Sequence, residues 1–330
     1  MPLLHPDAVL YQGSGGDIGK VLPACEHYAG DEKKLRKALA LQDELSGAFD
    51  VTADLEDGAA SGNEEATARL LCAILAEPRA HDYRVGCRIH PLDHPAFRAD
   101  LEILFASRPP GLAYVTLPKV SSLAAFQQAV AHIEAAVKTH GMAASLGLQV
   151  LVEDEAVIYD LHHIAAHPRV HFIAFGQMDF TSSHRGAIPA SAMQSPGQFD
   201  HPLMRRAKLE ISAACHAHGK VPTHNPTTDY RSATQAREDA ARARQEFRFC
   251  RMWSIHPNQV PQILAAFAPR LDEIEDASRI LLAAQQAQWG PIADRGLLHD
   301  RASYRYYWEL LKRARASGGV IPQAARQAFF

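Results

Sequence analysis

The sequence predicts an α/β chain folded as a (β/α)8 barrel, with a C-terminal helical extension. Three observations carry that prediction. Short apolar runs with strand character recur along residues 19–267, helix-compatible stretches separate most of them, and polar groups gather where the runs end.

The eight strand-like runs are Gly19–Ala24, Phe49–Asp54, Arg84–Ile89, Leu112–Pro118, Leu146–Val152, His171–Gly176, Val221–His224 and Arg251–Ile255. The near-continuous apolar character of Leu146–Val152 is that of a parallel strand buried on both faces. Stretches rich in Ala, Leu, Glu, Gln, Arg and Lys lie between them: Asp31–Leu45, Asn63–Leu75, Ser122–Thr139, Glu155–Ala166, Met204–His218 and Thr234–Phe247. Ser121 and Ser122 before one such stretch, Gly141 after it, and Gly219 after another are helix punctuation. Eight alternations match the count of a closed barrel. A doubly wound open sheet is the runner-up, because periodicity does not show closure.

The expected division is an N-terminal extension (1–18), the barrel (19–267) and a helical extension (268–330). The last segment reads as a helix (Leu271–Gln288), a break at Gly290-Pro291 and a second helix (Asp300–Ala316). Tyr304, Tyr307, Trp308 and Leu311 form an apolar stripe, expected to pack on the barrel or a neighbouring subunit.

At 330 residues, with 47% hydrophobic and 22% charged content, the chain has ample material for a large core. A net charge of −3 and a pI near 6.6 give no support to nucleic-acid or membrane-surface binding. No run approaches the roughly 18 apolar residues of a membrane span. The first residues, MPLLHPDAVLYQGSGG, lack the basic-then-apolar order of a secretory signal. The five cysteines (Cys25, Cys72, Cys87, Cys215 and Cys250) are scattered without a CxxC pair. A cytoplasmic protein with free thiols is expected.

Where the runs end, ionisable groups collect: Asp54, Glu56 and Asp57; Arg88 and His90; Lys119; Glu153; Asp179; His224 and Asn225; His256. On a barrel these ends open on one face, where active sites lie. Glu153 and Asp179 make a hard-oxygen pair suited to Mg²⁺, which takes one or two carboxylates plus water and substrate oxygens. Plainer roles compete with these: Asp179 as a helix N-cap, Asp57 as turn chemistry, Arg88 as a partner for the Asp54–Asp57 cluster. Gly13-Ser14-Gly15-Gly16-Asp17-Ile18-Gly19 resembles a dinucleotide fingerprint but lacks a preceding strand. His162-His163 and His216-Ala217-His218 lack the i, i+4 spacing of a zinc pair.

Taken in order, DLEDGA (Asp54–Ala59), RIHP (Arg88–Pro91), LPK (Leu117–Lys119), LVED (Leu151–Asp154), FGQMDF (Phe175–Phe180) and SIHPNQV (Ser254–Val260) resemble one family. It is the HpcH/HpaI aldolase and citrate lyase beta subunit superfamily, which includes malyl-CoA and citramalyl-CoA lyases. The resemblance implies a Mg²⁺-dependent barrel enzyme, trimeric or hexameric, that cleaves carbon–carbon bonds. It places the metal on Glu153 and Asp179, and the substrate on Arg88, Glu153 and Lys119. Glu56 and Asp57 would hold metal-bound water and the arginine, and Asp300 would be the catalytic acid supplied by a neighbouring subunit. His90 stands where the family often has Asn, Cys250-Arg251 replaces Gly-Lys, and LPACEHYAG (Leu22–Gly30) lacks the arginines that handle CoA. The expected reaction is cleavage or formation of a 3-hydroxyacyl-CoA thioester such as malyl-, citramalyl- or citryl-CoA. A CoA-independent class II aldolase acting on pyruvate or oxaloacetate plus an aldehyde, and a non-catalytic Mg²⁺-binding subunit, remain as alternatives.

Overall fold

The computed structural model describes residues 4–11, 22–59 and 61–330. The Gly13–Gly19 motif and the start of the expected first strand lie outside these. Two compact units are present, one from Pro23–Phe267, the other from Ala268–Phe330 with the described part of Met1–Leu22.

In the first unit eight parallel strands close a barrel in sequence order: β1 (Cys25–Ala29), β2 (Asp50–Asp54), β3 (Val85–Arg88), β4 (Leu112–Leu117), β5 (Gly147–Val152), β6 (Val170–Phe175), β7 (Val221–His224) and β8 (Arg251–Ser254). Closure is set by β1 pairing with both β2 and β8, with Glu26 opposite Asp50 on one side and Trp253 on the other. The open-sheet alternative is thereby excluded. Helices Glu32–Glu44, Glu64–Ala76, Leu123–Thr139, Pro202–Ala217 and Ala233–Phe247 fall where their composition predicted. Asp31 and Ser122 cap two of them, accepting the Lys34 N–H at 2.8 Å and the Ala125 N–H at 3.1 Å. The stretch 155–166 is broken into two short helices, Glu155–Ile158 and Leu161–Ala166.

β1 lies later than the run Gly19–Ala24, because its inward side chains are not apolar. Glu26 reaches across the lower barrel to Arg251 at 2.9 Å, accepts from Gln149 at 2.7 Å and from Tyr114 at 3.2 Å. Arg251 also pairs with Asp50 at 2.8 Å, and none of these five side chains is exposed. The barrel is thus filled at this level by a paired ionic layer rather than by aliphatic groups. Burial raises the Glu26 carboxyl above its ordinary range, against the lowering pull of Arg251. Outside the strands, an apolar layer including Leu35, Leu71, Leu104, Ile133, Ile164 and Ile211 seals the helices to the barrel.

The second unit has its own core of Val9, Leu10, Ile274, Leu281, Trp289, Tyr304, Trp308, Leu311 and Phe329. The stripe on helix Arg301–Ala316 is buried within this unit, against helix Leu271–Gln286 and the N-terminal helix Pro6–Leu10. The Trp308 indole donates to Asp7 at 2.6 Å. Between the two long helices the Gly290-Pro291 break continues into a hairpin, β9 (Ile292–Asp294) and β10 (Leu297–His299), which periodicity had not indicated. No helix among the described residues is long and apolar enough to cross a membrane.

Candidate active site

At the C-terminal ends of β2 and β3 the buried Arg88 guanidinium meets Asp54 in a two-point contact, Nε to Oδ1 at 2.7 Å and Nη2 to Oδ2 at 2.6 Å. Its Nη1 lies 3.1 Å from Glu56 Oε2. The arginine is held by Asp54 and Glu56, whereas the resemblance assigned that duty to Glu56 and Asp57. The adjacent β2 and β3 bring Asp54 opposite Arg88 in register, so sheet geometry selects this acid. Burial opposes the charge on Arg88, but the two carboxylates outweigh it and hold the guanidinium fully protonated. Gly58 is required beside this pair, since a Cβ there would sit 2.1 Å from Asp54 Oδ2.

Lys119 follows β4 with φ +49°, a left-handed conformation disfavoured for a residue with a side chain. That turn aims its backbone N–H at Glu153 Oε2, 2.5 Å away, and its ammonium at two acids. Nζ bonds Glu56 and lies 3.0 Å from Asp57 Oδ1. Lys119 is therefore paired with two acids of the site. Desolvation pulls Asp57 upward, but the hydrogen bond and charge of Lys119 leave its carboxyl below the ordinary range.

Glu153 projects from the end of β5 and is buried, with Gly176 of the neighbouring strand packed on it. A Cβ at Gly176 would meet Glu153 Cγ at 2.2 Å. Burial pushes the Glu153 carboxyl up to about 8; the Lys119 N–H opposes this, and the negative charge of Asp179 adds to it. Asp179 stands in the first turn of helix Gln177–Ser183, whose N-cap is Gly176. It is thus not the N-cap its neighbours suggested. A buried carboxylate whose ionisation is resisted by desolvation and by a second acid is a place a divalent cation fits. Among the described residues no group of three or more His, Cys, Asp and Glu side chains could hold a metal. A two-carboxylate set suits Mg²⁺, which completes its shell with water and substrate oxygens.

The other strand-end groups divide. His90 gives Nδ1 to Asp100 at 2.7 Å, and the same carboxylate oxygen accepts its backbone N–H at 2.8 Å. Burial lowers its affinity for a proton, but Asp100 reverses this and raises it. His224 and Asn225 are buried around the Lys208 ammonium, a polar cluster in the wall, so they do not line the crevice. Asp300 belongs to the other unit, where it caps helix Arg301–Ala316 by accepting the Ala302 N–H at 2.9 Å. Asp54 is the site residue that its neighbours in DLEDG had obscured.

The family model described as HpcH/HpaI aldolase/citrate lyase matches residues 35–246. A citrate lyase from Burkholderia xenovorans LB400, known from its crystal structure, is 51% identical with a TM-score of 0.88, covering 99% of this chain and 100% of that one. An L-malyl-CoA/beta-methylmalyl-CoA lyase from Cereibacter sphaeroides is 27% identical over 84% of this chain and 91% of its own. A CitE protein from Mycobacterium tuberculosis, solved with magnesium, acetoacetate and coenzyme A, shares the fold at 22% identity and a TM-score of 0.68. That match covers 89% of this chain and 98% of the CitE chain. The chain belongs to the HpcH/HpaI aldolase/citrate lyase family. It is a carbon–carbon lyase.

Proposed function

We propose that this protein is a Mg²⁺-dependent lyase that cleaves or forms a 3-hydroxyacyl-CoA thioester, with malyl, citramalyl and citryl as the candidate acyl groups. The observation that carries the reading is the pairing of a doubly clamped arginine with two uncompensated carboxylates on the same barrel rim. The naming of the Cereibacter relative as a malyl-CoA lyase supports the substrate class.

Glu153 and Asp179 would hold Mg²⁺, which when bound would polarise the keto oxygen of a 2-oxo acid. Arg88 carries five N–H groups, of which two donate to Asp54, while Nη1 forms an ion pair with Glu56 at 3.1 Å. Those left over would bind the substrate's carboxylate or the developing enolate oxygen. Because the clamp fixes the guanidinium before substrate arrives, no ordering is needed during the reaction. Lys119 positions Glu56 and Asp57 and donates its backbone N–H to Glu153, so one residue ties both halves together. In cleavage the substrate hydroxyl loses its proton, the adjacent carbon–carbon bond breaks, and the enolate is protonated. Glu56 and Asp57 would order the water that moves these protons.

The lack of arginines in Leu22–Gly30 favours a second reading, an aldolase that uses the same site on pyruvate or oxaloacetate without CoA. A panel of malyl-, citramalyl- and citryl-CoA, followed with and without Mg²⁺, separates the two. Metal-dependent release of acetyl-CoA with a 2-oxo acid is the expected result. No cleavage by protein that binds Mg²⁺ would transfer the assignment to the aldolase.

A further inference from the structure

One pleat below the acid site the barrel changes character. Leu151 precedes Glu153 by two residues on β5, and Ala174 precedes Gly176 by two on β6, so each lies directly beneath the site on the inward face. With Tyr28 of β1 and Trp253 of β8 they form a separate apolar cluster. The two rings stack at 4.6 Å with an interplanar angle of 23°, and Arg88 lies over the Tyr28 ring at 5.5 Å. Beneath them Glu26, Gln149, Tyr114 and Arg251 are wholly inaccessible, at 0%. Tyr28 and Trp253 retain 8% and 7% exposure, so the crevice descends as far as the ring pair and ends on it. The Trp253 Nε1–H is buried without a hydrogen-bond partner and has no accessible surface, so that polar atom is not what the residue presents to the crevice.

We infer that the stacked Tyr28–Trp253 pair is the floor of the substrate crevice and limits the 2-oxo acid to small substituents on its third carbon. This rests on the reading that a 2-oxo acid binds at Glu153, Asp179 and Arg88. A rigid aromatic floor discriminates by size because an added methylene has nowhere to go without displacing a packed ring.

The test is calorimetric titration of pyruvate, 2-oxobutyrate and 2-oxovalerate into the whole protein with saturating Mg²⁺, which requires no turnover. Wild type is expected to lose affinity about tenfold or more from pyruvate to 2-oxovalerate. Trp253→Leu opens the floor and should reduce that loss to about threefold or less, reordering the series rather than weakening it uniformly. Trp253→Phe keeps an aromatic floor of smaller area. It should lessen the loss from pyruvate to 2-oxovalerate by a smaller factor than Trp253→Leu does. A wild-type affinity independent of chain length, or a Trp253→Leu variant with the wild-type profile, overturns the floor while leaving the functional reading intact. If wild type binds no 2-oxo acid, the functional reading fails and the floor goes with it. Should Trp253→Leu not fold, Trp253→Phe decides: an unchanged loss from pyruvate to 2-oxovalerate overturns the inference, and a lessened one supports it.

Discussion

Glu153 sets the behaviour of the site before any substrate arrives. Its carboxyl titrates near 4.5 in the unfolded chain and near 8 in the folded one. The folded state therefore holds a proton that the unfolded state has released, and stability falls as pH rises through that window. We expect protein stripped of divalent metal to lose about 2–5 kcal/mol between pH 4.5 and pH 8 from this group. Glu153→Gln should remove most of that pH dependence and abolish Mg²⁺ binding, while added Mg²⁺ should restabilise wild type alone. Urea unfolding at several pH values checks this; a variant as pH-sensitive as wild type would refute it. Arg88 makes a different prediction. Lysine cannot reproduce the two-point contact to Asp54 and still face the crevice, so Arg88→Lys should lower kcat/KM by on the order of 10²-fold with the fold preserved. Activity within about threefold of wild type would show that a point charge suffices.

At the scale of elements, the strands converge on the site through close approaches that tolerate no side chain. Gly176→Ala places a Cβ against Glu153, so Mg²⁺ affinity should drop at least about tenfold, more than overall stability suggests. Calorimetry beside thermal melting separates the two effects. Lower in the barrel, Arg251→Met would leave Glu26 buried without its cation and Asp50 with Arg84 alone, and should cost about 3–5 kcal/mol. The triple variant with Glu26→Gln and Asp50→Asn should recover much of that loss. An Arg251→Met cost below about 1 kcal/mol would mean that the ionic layer is not a unit.

The same layer explains what the sequence could and could not reveal. Strands such as Leu146–Val152 were legible because Gln149 alone interrupts an apolar run, whereas CEHYA was hidden because its inward Glu26 is matched only by residues far along the chain. Arg88 and Glu153 were legible as strand-end groups, whereas Asp179 lies in the first turn of the helix after its strand. The partition of DLED, with Asp54 taking the arginine and Asp57 the lysine, was not. It depends on strand register and on the left-handed turn at Lys119, neither of which leaves a mark in composition. The short β9–β10 hairpin carries too few residues to establish a period.

Among the described residues, the main core of the barrel and the core of the smaller unit share no residues. Leu10 is buried in the smaller one, so Leu10→Ala should destabilise that unit by about 2–4 kcal/mol. Trp289 and Trp308 lie in that unit and Trp253 in the barrel, so a fluorescence-detected melt should be dominated by the smaller core. A melt unaltered by the substitution would show that the N-terminal helix is no part of its cooperative structure. His5 and Phe329 meet directly, the imidazole Nε2 lying 3.0 Å from the Phe329 carbonyl oxygen. The barrel is therefore an excursion between two ends that are fastened to each other. Tension applied to those ends would load this clasp first, and the strands carrying the lyase site would bear force only after it had given way.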